Sequence, residues 1–321
     1  MTGPILLVTL NPALDVTYHL ASVDWAGVNR PADVLARPGG KGLNVAFTLR
    51  ALGACVRVTG LAGGSTGAAL RDAVAADGLQ ATFAPISGET RRTFTVVDTG
   101  LAQMAAFYEP GPCITSGEFA AFEADYAAAL HGAAVVVLTG SLPPGLAPDT
   151  YAALIRRAAL AGVPTVLDAG GEVLRLGAAA GPAIIKPNLA ELEQAAGRRL
   201  RGAADDPDLA AVAAAARDLL AAGAHAVVVS LGPDGLLALT GSDCWHVVPA
   251  DVPVSNPTGA GDAVVAGLAL GLARGWSWPE RLRRAAALGA ATVAAPAAGE
   301  FDRALYEQLL ASSPVPGLLE F

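Results

Sequence analysis

Gly259, Gly261 and Asp262 are spaced for chemistry on a charged group. They lie in Asn256–Gly267, which reads NPTGAGDAVVAG. The glycines make a flexible turn ahead of a helix, and backbone amides at a helix start can hold an anion. Amides near Ala260–Asp262 would stabilise charge developing on a transferred phosphoryl group. Asp262, at the turn–helix junction, would accept the proton of an attacking hydroxyl. Phosphoryl transfer to an alcohol is the chemistry implied. The short motif also reads as an Asp helix cap behind a glycine turn.

Other runs supply candidate partners. Lys186–Glu191 reads KPNLAE. Asn188 and Glu191 could position hydrated magnesium directly or through water, while Lys186 balances phosphate charge. The alternative is a helix-start network made by Asn188 and Glu191. Pro38–Asn44 reads PGGKGLN. It is not the phosphate loop GxxxxGK[ST], because Leu43 follows the Lys41–Gly42 pair. Gly39 and Gly40 would admit a sugar, and Asn44 can donate and accept hydrogen bonds. Lys41 is a contact or an exposed charge. Asp15, ending NPALD, could bind sugar hydroxyls. Arg30 and Arg91 could bind a phosphate on the acceptor through planar donor sets, or form surface ion pairs. Ser230–Gly235, SLGPDG, could admit a nucleotide along Ser230, Gly232 and Gly235, or be a tight turn. Thr139–Gly145, TGSLPPG, shapes a floor. Ser141 there has no His–acid partner in sequence, which disfavours a covalent serine hydrolase.

These runs need strands and helices to hold them. Ile5–Leu10 reads as the first strand, Lys41–Leu52 as a helix, Cys55–Gly60 as a strand and Thr66–Asp77 as a helix. Val16–Leu20, Pro31–Arg37, Thr93–Asp98 and Gln103–Tyr108 are less buried strand patterns. They form either a small inserted sheet or edge hairpins of one sheet. Beyond residue 117 helices at 118–130, 149–161, 189–196 and 207–222 alternate with strands at 133–138, 163–168, 183–185 and 226–230. That rhythm predicts a mostly parallel sheet covered on both faces. Residues 235–239 and 244–248 read as an edge hairpin, and 260–273 and 279–295 as closing helices.

The chain has 321 residues, enough for one large α/β domain or two modest ones. With 53% hydrophobic and 16% charged residues, general disorder is excluded. Gly, Pro, Asp or Arg interrupts the apolar runs, and the N-terminus lacks a leader pattern, so a soluble cytoplasmic protein without a membrane partner is expected. The net charge of -8, without a basic block, disfavours nucleic acid. Cys55, Cys113 and Cys244 are too scattered for a disulfide framework or zinc site, and the four histidines form no cluster.

The ordered set of Asn11–Asp15, Pro38–Ala46 (PGGKGLNVA), Thr90–Arg91, Glu109–Pro112 (EPGP), Thr139–Gly145, Lys186–Glu191, Ser230–Gly235 and Asn256–Gly267 resembles the PfkB or ribokinase family of carbohydrate kinases. Within it, the bacterial 1-phosphofructokinase and tagatose-6-phosphate kinase branch is most similar. The resemblance implies a ribokinase-like α/β fold over residues 1–321, with a Rossmann-like three-layer core and a mostly parallel central sheet. A discontinuous β lid near 12–38 and 91–112 would join a second lid in a homodimer. Asp262 is implied as catalytic base, and Gly259, Ala260 and Gly261 as the anion hole. Asn188 and Glu191 map to Mg2+. Lys186, Asn188, Ser230, Gly232, Gly235, Thr258, Gly259 and Gly261 map to the ATP side. Asp15, Gly39, Gly40, Lys41, Asn44, Arg91 and Ser141 match acceptor-binding segments, and Arg30 would face the acceptor phosphate across a dimer.

The reaction so implied transfers the ATP γ-phosphate to a phosphorylated ketohexose, first D-fructose 1-phosphate at its 6-hydroxyl. Two departures lie at the lid edge. Tyr108 precedes EPGP where a small polar residue is usual, and Arg91–Arg92–Thr93 is an unusual continuation. Tagatose 6-phosphate and fructose 6-phosphate therefore stay as alternative acceptors. A catalytically weak sugar-phosphate-binding regulator is the alternative of another class.

Overall fold

The computed structural model describes residues 3–31, 33–101, 103–241, 243–295 and 299–320. Strand β1 (Ile5–Thr9), ILLVT, is buried throughout. Ile5 and Leu7 join one apolar cluster, Leu6 and Val8 another. A strand covered on both faces requires such an unbroken apolar run.

The chain continues through β2 (Ala13–Leu20), β3 (Asp33–Gly39), α1 (Lys41–Ala51), β4 (Val56–Gly63), α2 (Gly64–Ala76), β5 (Gln80–Ile86), β6 (Arg91–Asp98) and β7 (Gln103–Tyr108). Next come α3 (Ser116–Leu130), β8 (Val135–Thr139), α4 (Thr150–Leu160), β9 (Thr165–Asp168), α5 (Gly171–Ala178), β10 (Ile184–Ile185), α6 (Leu189–Ala196), α7 (Leu209–Ala222) and β11 (Ala226–Ser230). A short 3-10 turn at Gly232–Asp234 leads to β12 (Leu236–Thr240), β13 (Asp243–Val247), α8 (Ala260–Arg274), α9 (Trp278–Val293), α10 (Arg303–Ser312) and β14 (Gly317–Leu319).

The central sheet runs β14-β13-β12-β11-β10-β9-β8-β1-β4-β5. Pairing is parallel from β5 across to β11 and antiparallel from β11 to β14. Residues of α1, α2, α8 and α9 pack in one cluster, and residues of α3, α4, α6 and α7 in the other, giving three layers. The chain moves outward from β1 to β5, then returns to β8 on the other side of β1. Strand ends diverge at that reversal and open a crevice beyond their carboxyl ends.

A separate sheet, β3-β2-β6-β7, holds the less buried strands, which excludes edge hairpins of one sheet. Strand β2 begins at Ala13, ahead of the expected Val16. Ala13 and Asp15 are paired on both sides, with Gly39 and Arg37 in β3 and with Arg91 and Thr93 in β6. Neighbouring strands extend it beyond its own alternation. Elements β5, α5, α10 and β14 were not expected. Short helices such as α5 carry little periodic signal, and β5 contains Pro85.

Candidate active site

The strand ends, the starts of α1 and α8, and the edge of the small sheet enclose a cavity of about 1180 Å³. A pocket of roughly 300–1,000 Å³ holds one drug-sized ligand, so this cavity lies above the usual range for one. One end is polar, lined by Asp15, Asn44, Arg91 and Ser141. The other is lined by Ser230, Gly232 and Gly235 together with Val252, Ala286, Ala290 and Val293.

Asp262 stands between these ends at the start of α8, in the first turn. Gly259 precedes the helix at φ 89, a left-handed conformation that favours glycine. Among the described residues no side chain caps this helix start, and Gly259, Ala260 and Gly261 all line the cavity. The Asp262 carboxylate is buried and accepts a hydrogen bond from Asn44 Nδ2 at 2.8 Å. Burial, then the nearby Asp168 charge, pushes its pKa up to about 7 against the opposing pull of Asn44, Lys41 and Lys186. A carboxyl so poised takes up a proton near neutral pH.

Asp168, at the end of β9, is the residue sequence reasoning missed. Thr139 donates to its Oδ2 at 2.9 Å, Lys41 Nζ meets Oδ2 at 3.1 Å, and Lys186 Nζ meets Oδ1 at 3.1 Å as an ion pair. Burial alone would raise its pKa, yet Lys186 and Lys41 hold it down to about 2. The same carboxylate keeps Lys41 protonated: burial lowers the lysine pKa, but Asp168, Asp262 and Glu191 together raise it above the ordinary value. Two neighbouring carboxyls with pKa values pushed apart mark separate roles, one holding cations and one accepting a proton. An acid ending a wholly buried parallel strand was the available signal.

At the polar end, Thr93 donates to Asp15 Oδ1 at 2.6 Å. Burial raises the Asp15 pKa against Thr93, Arg37, Arg91 and the Gly40 amide. Gly39 serves Asp15 by lacking a side chain: a Cβ there would lie 1.8 Å from Asp15 Oδ2. Gly40 sets the start of α1 at φ 94. Arg91 donates from Nε to the Asn11 carbonyl at 3.0 Å, and burial lowers its pKa.

Asn188 and Glu191 form a capping box on α6. Glu191 N donates to Asn188 Oδ1 at 2.8 Å, and Asn188 N to Glu191 Oε2 at 2.8 Å. The other carboxylate oxygen, Glu191 Oε1, lies 3.9 Å from Lys41 Nζ. Asp168 and Glu191 thus share one cation, and such carboxylate oxygens suit hydrated magnesium. Ser230 bridges to Asn188 from the neighbouring strand end.

The cavity gathers Asp15, Gly40, Lys41, Asn44, Arg91, Ser141, Lys186, Asn188, Ser230, Gly232, Gly235, Thr258, Gly259, Ala260, Gly261 and Asp262. Gly39 and Glu191 stand behind lining residues. Arg30 is exposed in the β2–β3 loop and does not line the cavity. Asn44 was expected on the acceptor; its amide is engaged by the carboxylate of Asp262. Beyond Asp168, the reading missed Asn11, Thr93 and the apolar end made by Val248–Val254 and α9.

The pfkB family carbohydrate kinase model matches residues 9–303. This chain belongs to that family. It is an ATP-dependent sugar kinase by family, which agrees with a buried carboxylate beside an uncapped helix start in one large cavity. Phosphofructokinase-2 from Escherichia coli in complex with fructose-6-phosphate is 30% identical, covers 96% of this chain and 98% of its own, and superposes with a TM-score of 0.87. A protein called a possible 1-phosphofructokinase, from Thermotoga maritima, is 24% identical with coverage of 98% and 99% and a TM-score of 0.85; at that identity it supports the fold alone. Among the described residues, no helix is long and apolar enough to cross a membrane.

Proposed function

We propose that this kinase transfers the γ-phosphate of ATP to the 6-hydroxyl of D-fructose 1-phosphate, giving fructose 1,6-bisphosphate and ADP. The observation that carries a phosphoryl-transfer reading is the buried Asp262 at the uncapped start of α8, midway along a cavity with a polar and an apolar end. The acceptor oxygen attacks the γ-phosphorus, the bond to the ADP oxygen breaks, and Asp262 takes the hydroxyl proton. The amides of Gly259–Gly261 face the growing charge on the transferred group. Asp15 holds sugar hydroxyls, and Arg91 and Ser141 hold the phosphate already on the acceptor. Ser230, Gly232, Gly235 and Thr258 border the nucleotide, with Lys186 beside its phosphates. Magnesium, held by Glu191 and Asn188 directly or through water, would neutralise phosphate charge when bound.

The small sheet is read as a lid spanning approximately residues 12–38 and 91–112. It closes over the acceptor and excludes water. Val34, Leu35, Met104 and Phe107 on it are exposed, which favours a homodimer through this sheet, with Arg30 reaching the partner's acceptor. Fructose 6-phosphate is the second reading, favoured by the 30% identity to a phosphofructokinase-2. The test is ADP release with fructose 1-phosphate, fructose 6-phosphate, tagatose 6-phosphate and unphosphorylated sugars, with and without magnesium. Highest kcat/KM for fructose 1-phosphate supports the proposal. Preference for another sugar phosphate replaces the acceptor, and saturable binding without transfer removes the kinase reading.

A further inference from the structure

The chain passes between the two sheets near Asn11–Pro12, Gly39–Gly40, Thr90–Arg91 and Tyr108–Pro110, and the last two crossings hydrogen-bond to Asn11. The Asn11 carbonyl accepts from Arg91 Nε at 3.0 Å. Asn11 Nδ2 donates to the Pro110 carbonyl at 3.0 Å and to Ser141 Oγ at 3.1 Å. A Cβ on Gly40 would lie 3.7 Å from the Asn11 carbonyl oxygen. Asn11 also follows β1, and Ser141 follows β8, so their hydrogen bond spans the point where the strand order reverses.

The residue is 7% exposed, and among the described residues its Oδ1 has no hydrogen-bond partner. Gly111 covers that oxygen at φ 97, and a Cβ there would come within 2.3 Å of it. Leaving a buried carbonyl unpartnered is unfavourable, and general packing does not require it. What the amide secures is its other end. A donor pair on Nδ2 fixes Pro110 and Ser141 together, while the backbone of the same residue fixes Arg91.

We infer that Asn11 is a positioning residue: it sets Arg91 and Ser141 as a pair toward the acceptor's phosphate and ties that pair to the posture of the small sheet. The inference rests on the sugar-phosphate reading above for what Arg91 and Ser141 hold. Asn11 borders the cavity, and its amide nitrogen is turned to Pro110 and Ser141. Its side chain lies beneath the loop at Pro110–Gly111.

The test uses Asn11→Asp, which keeps shape but turns an acceptor oxygen toward the Pro110 carbonyl. A second variant, Gly111→Ala, presses on the same amide from the loop. Steady-state kinetics vary sugar phosphate and ATP separately, and hydrogen–deuterium exchange is followed over the whole chain in the free proteins. For both variants the acceptor KM should rise about tenfold or more, with the ATP KM and kcat each within about threefold of the parent. Exchange should quicken in β6 and β7 and stay unchanged in α8. Equal rises in both KM values, or faster exchange everywhere, would show a merely structural role and overturn the inference. Unchanged kinetics and exchange would overturn it as well. If the parent enzyme turns over no sugar phosphate in the panel, the proposed function fails, and exchange in β6 and β7 decides the Asn11 inference alone.

Discussion

Replacing Asp262 with Asn should destroy turnover and stabilise the fold, and the size of the second effect follows from the site. The folded carboxyl has a pKa of about 7 against an ordinary value of 3.8. The proton-bound form is favoured in the folded state, so the sign is that of a raised pKa. Folding is least penalised below pH 3.8, and stability is lost as pH rises toward 7. Linkage gives a penalty of about 2 kcal/mol at pH 5 and about 4 kcal/mol at pH 8. The opposing pull of Lys41 and Lys186 is already within that figure, because it helps set the pKa. Asn at position 262 carries no charge to bury, and its carbonyl oxygen can still accept from Asn44 Nδ2.

Urea unfolding of parent and Asp262→Asn protein at pH 5 and pH 8 measures the gap directly. The variant should be more stable at both, with a gap that widens by about 2–3 kcal/mol between them. At pH 8 its melting temperature should be higher by several degrees, since about 2–4 °C accompanies each kcal/mol in domains somewhat smaller than this one. Activity should fall by about 10²–10⁴, the usual contribution of a general base. A variant less stable than the parent at pH 8, or a gap that does not change with pH, would refute the reasoning that burial and Asp168 raise this carboxyl. Full activity in the stable variant would remove Asp262 as the base.

The acid limb of kcat/KM should fall near pH 7, where Asp262 becomes protonated, and Asp168→Asn should move it to lower pH by removing the negative charge that raises Asp262 while leaving Lys41 and Lys186 beside it; a pH–rate profile checks this, and an upward shift would contradict it. Gly39→Ala should raise the acceptor KM by about tenfold or more, because the added carbon would stand 1.8 Å from Asp15 Oδ2 and must displace that carboxylate. The ATP KM should stay within about threefold in the same assay, since several strands of the sheet separate Asp15 from Ser230, Gly232 and Gly235, the turns proposed for the nucleotide.

The legible parts of the site are those whose chemistry is local. The NPTGAGD and PGGKGLN runs place glycine, amide and acid or lysine at a helix start, KPNLAE places lysine, amide and acid at another without glycine, and the fold brings all of them to one crevice. Their individual partners were less legible. Asn44 can serve a sugar or an acid by its chemistry alone; the arrival of α8 beside α1 gives its amide to Asp262. Glu191 looked like either a cap or a metal ligand, and its two oxygens divide the work, one on the Asn188 amide and one toward Lys41. Asp168 ends a short strand, and the apolar run before it is a weak mark in sequence. Its importance comes from lysines on α1 and at the end of β10, so only the parallel order of the sheet exposes it. The small sheet shows the same limit. Its strands alternate weakly because neither face is deeply buried, and their pairing is fixed by neighbours distant in sequence. Asn11 is the extreme case: a single polar residue after a strand, whose part in the site exists only because Arg91, Pro110 and Ser141, all distant in sequence, converge on it.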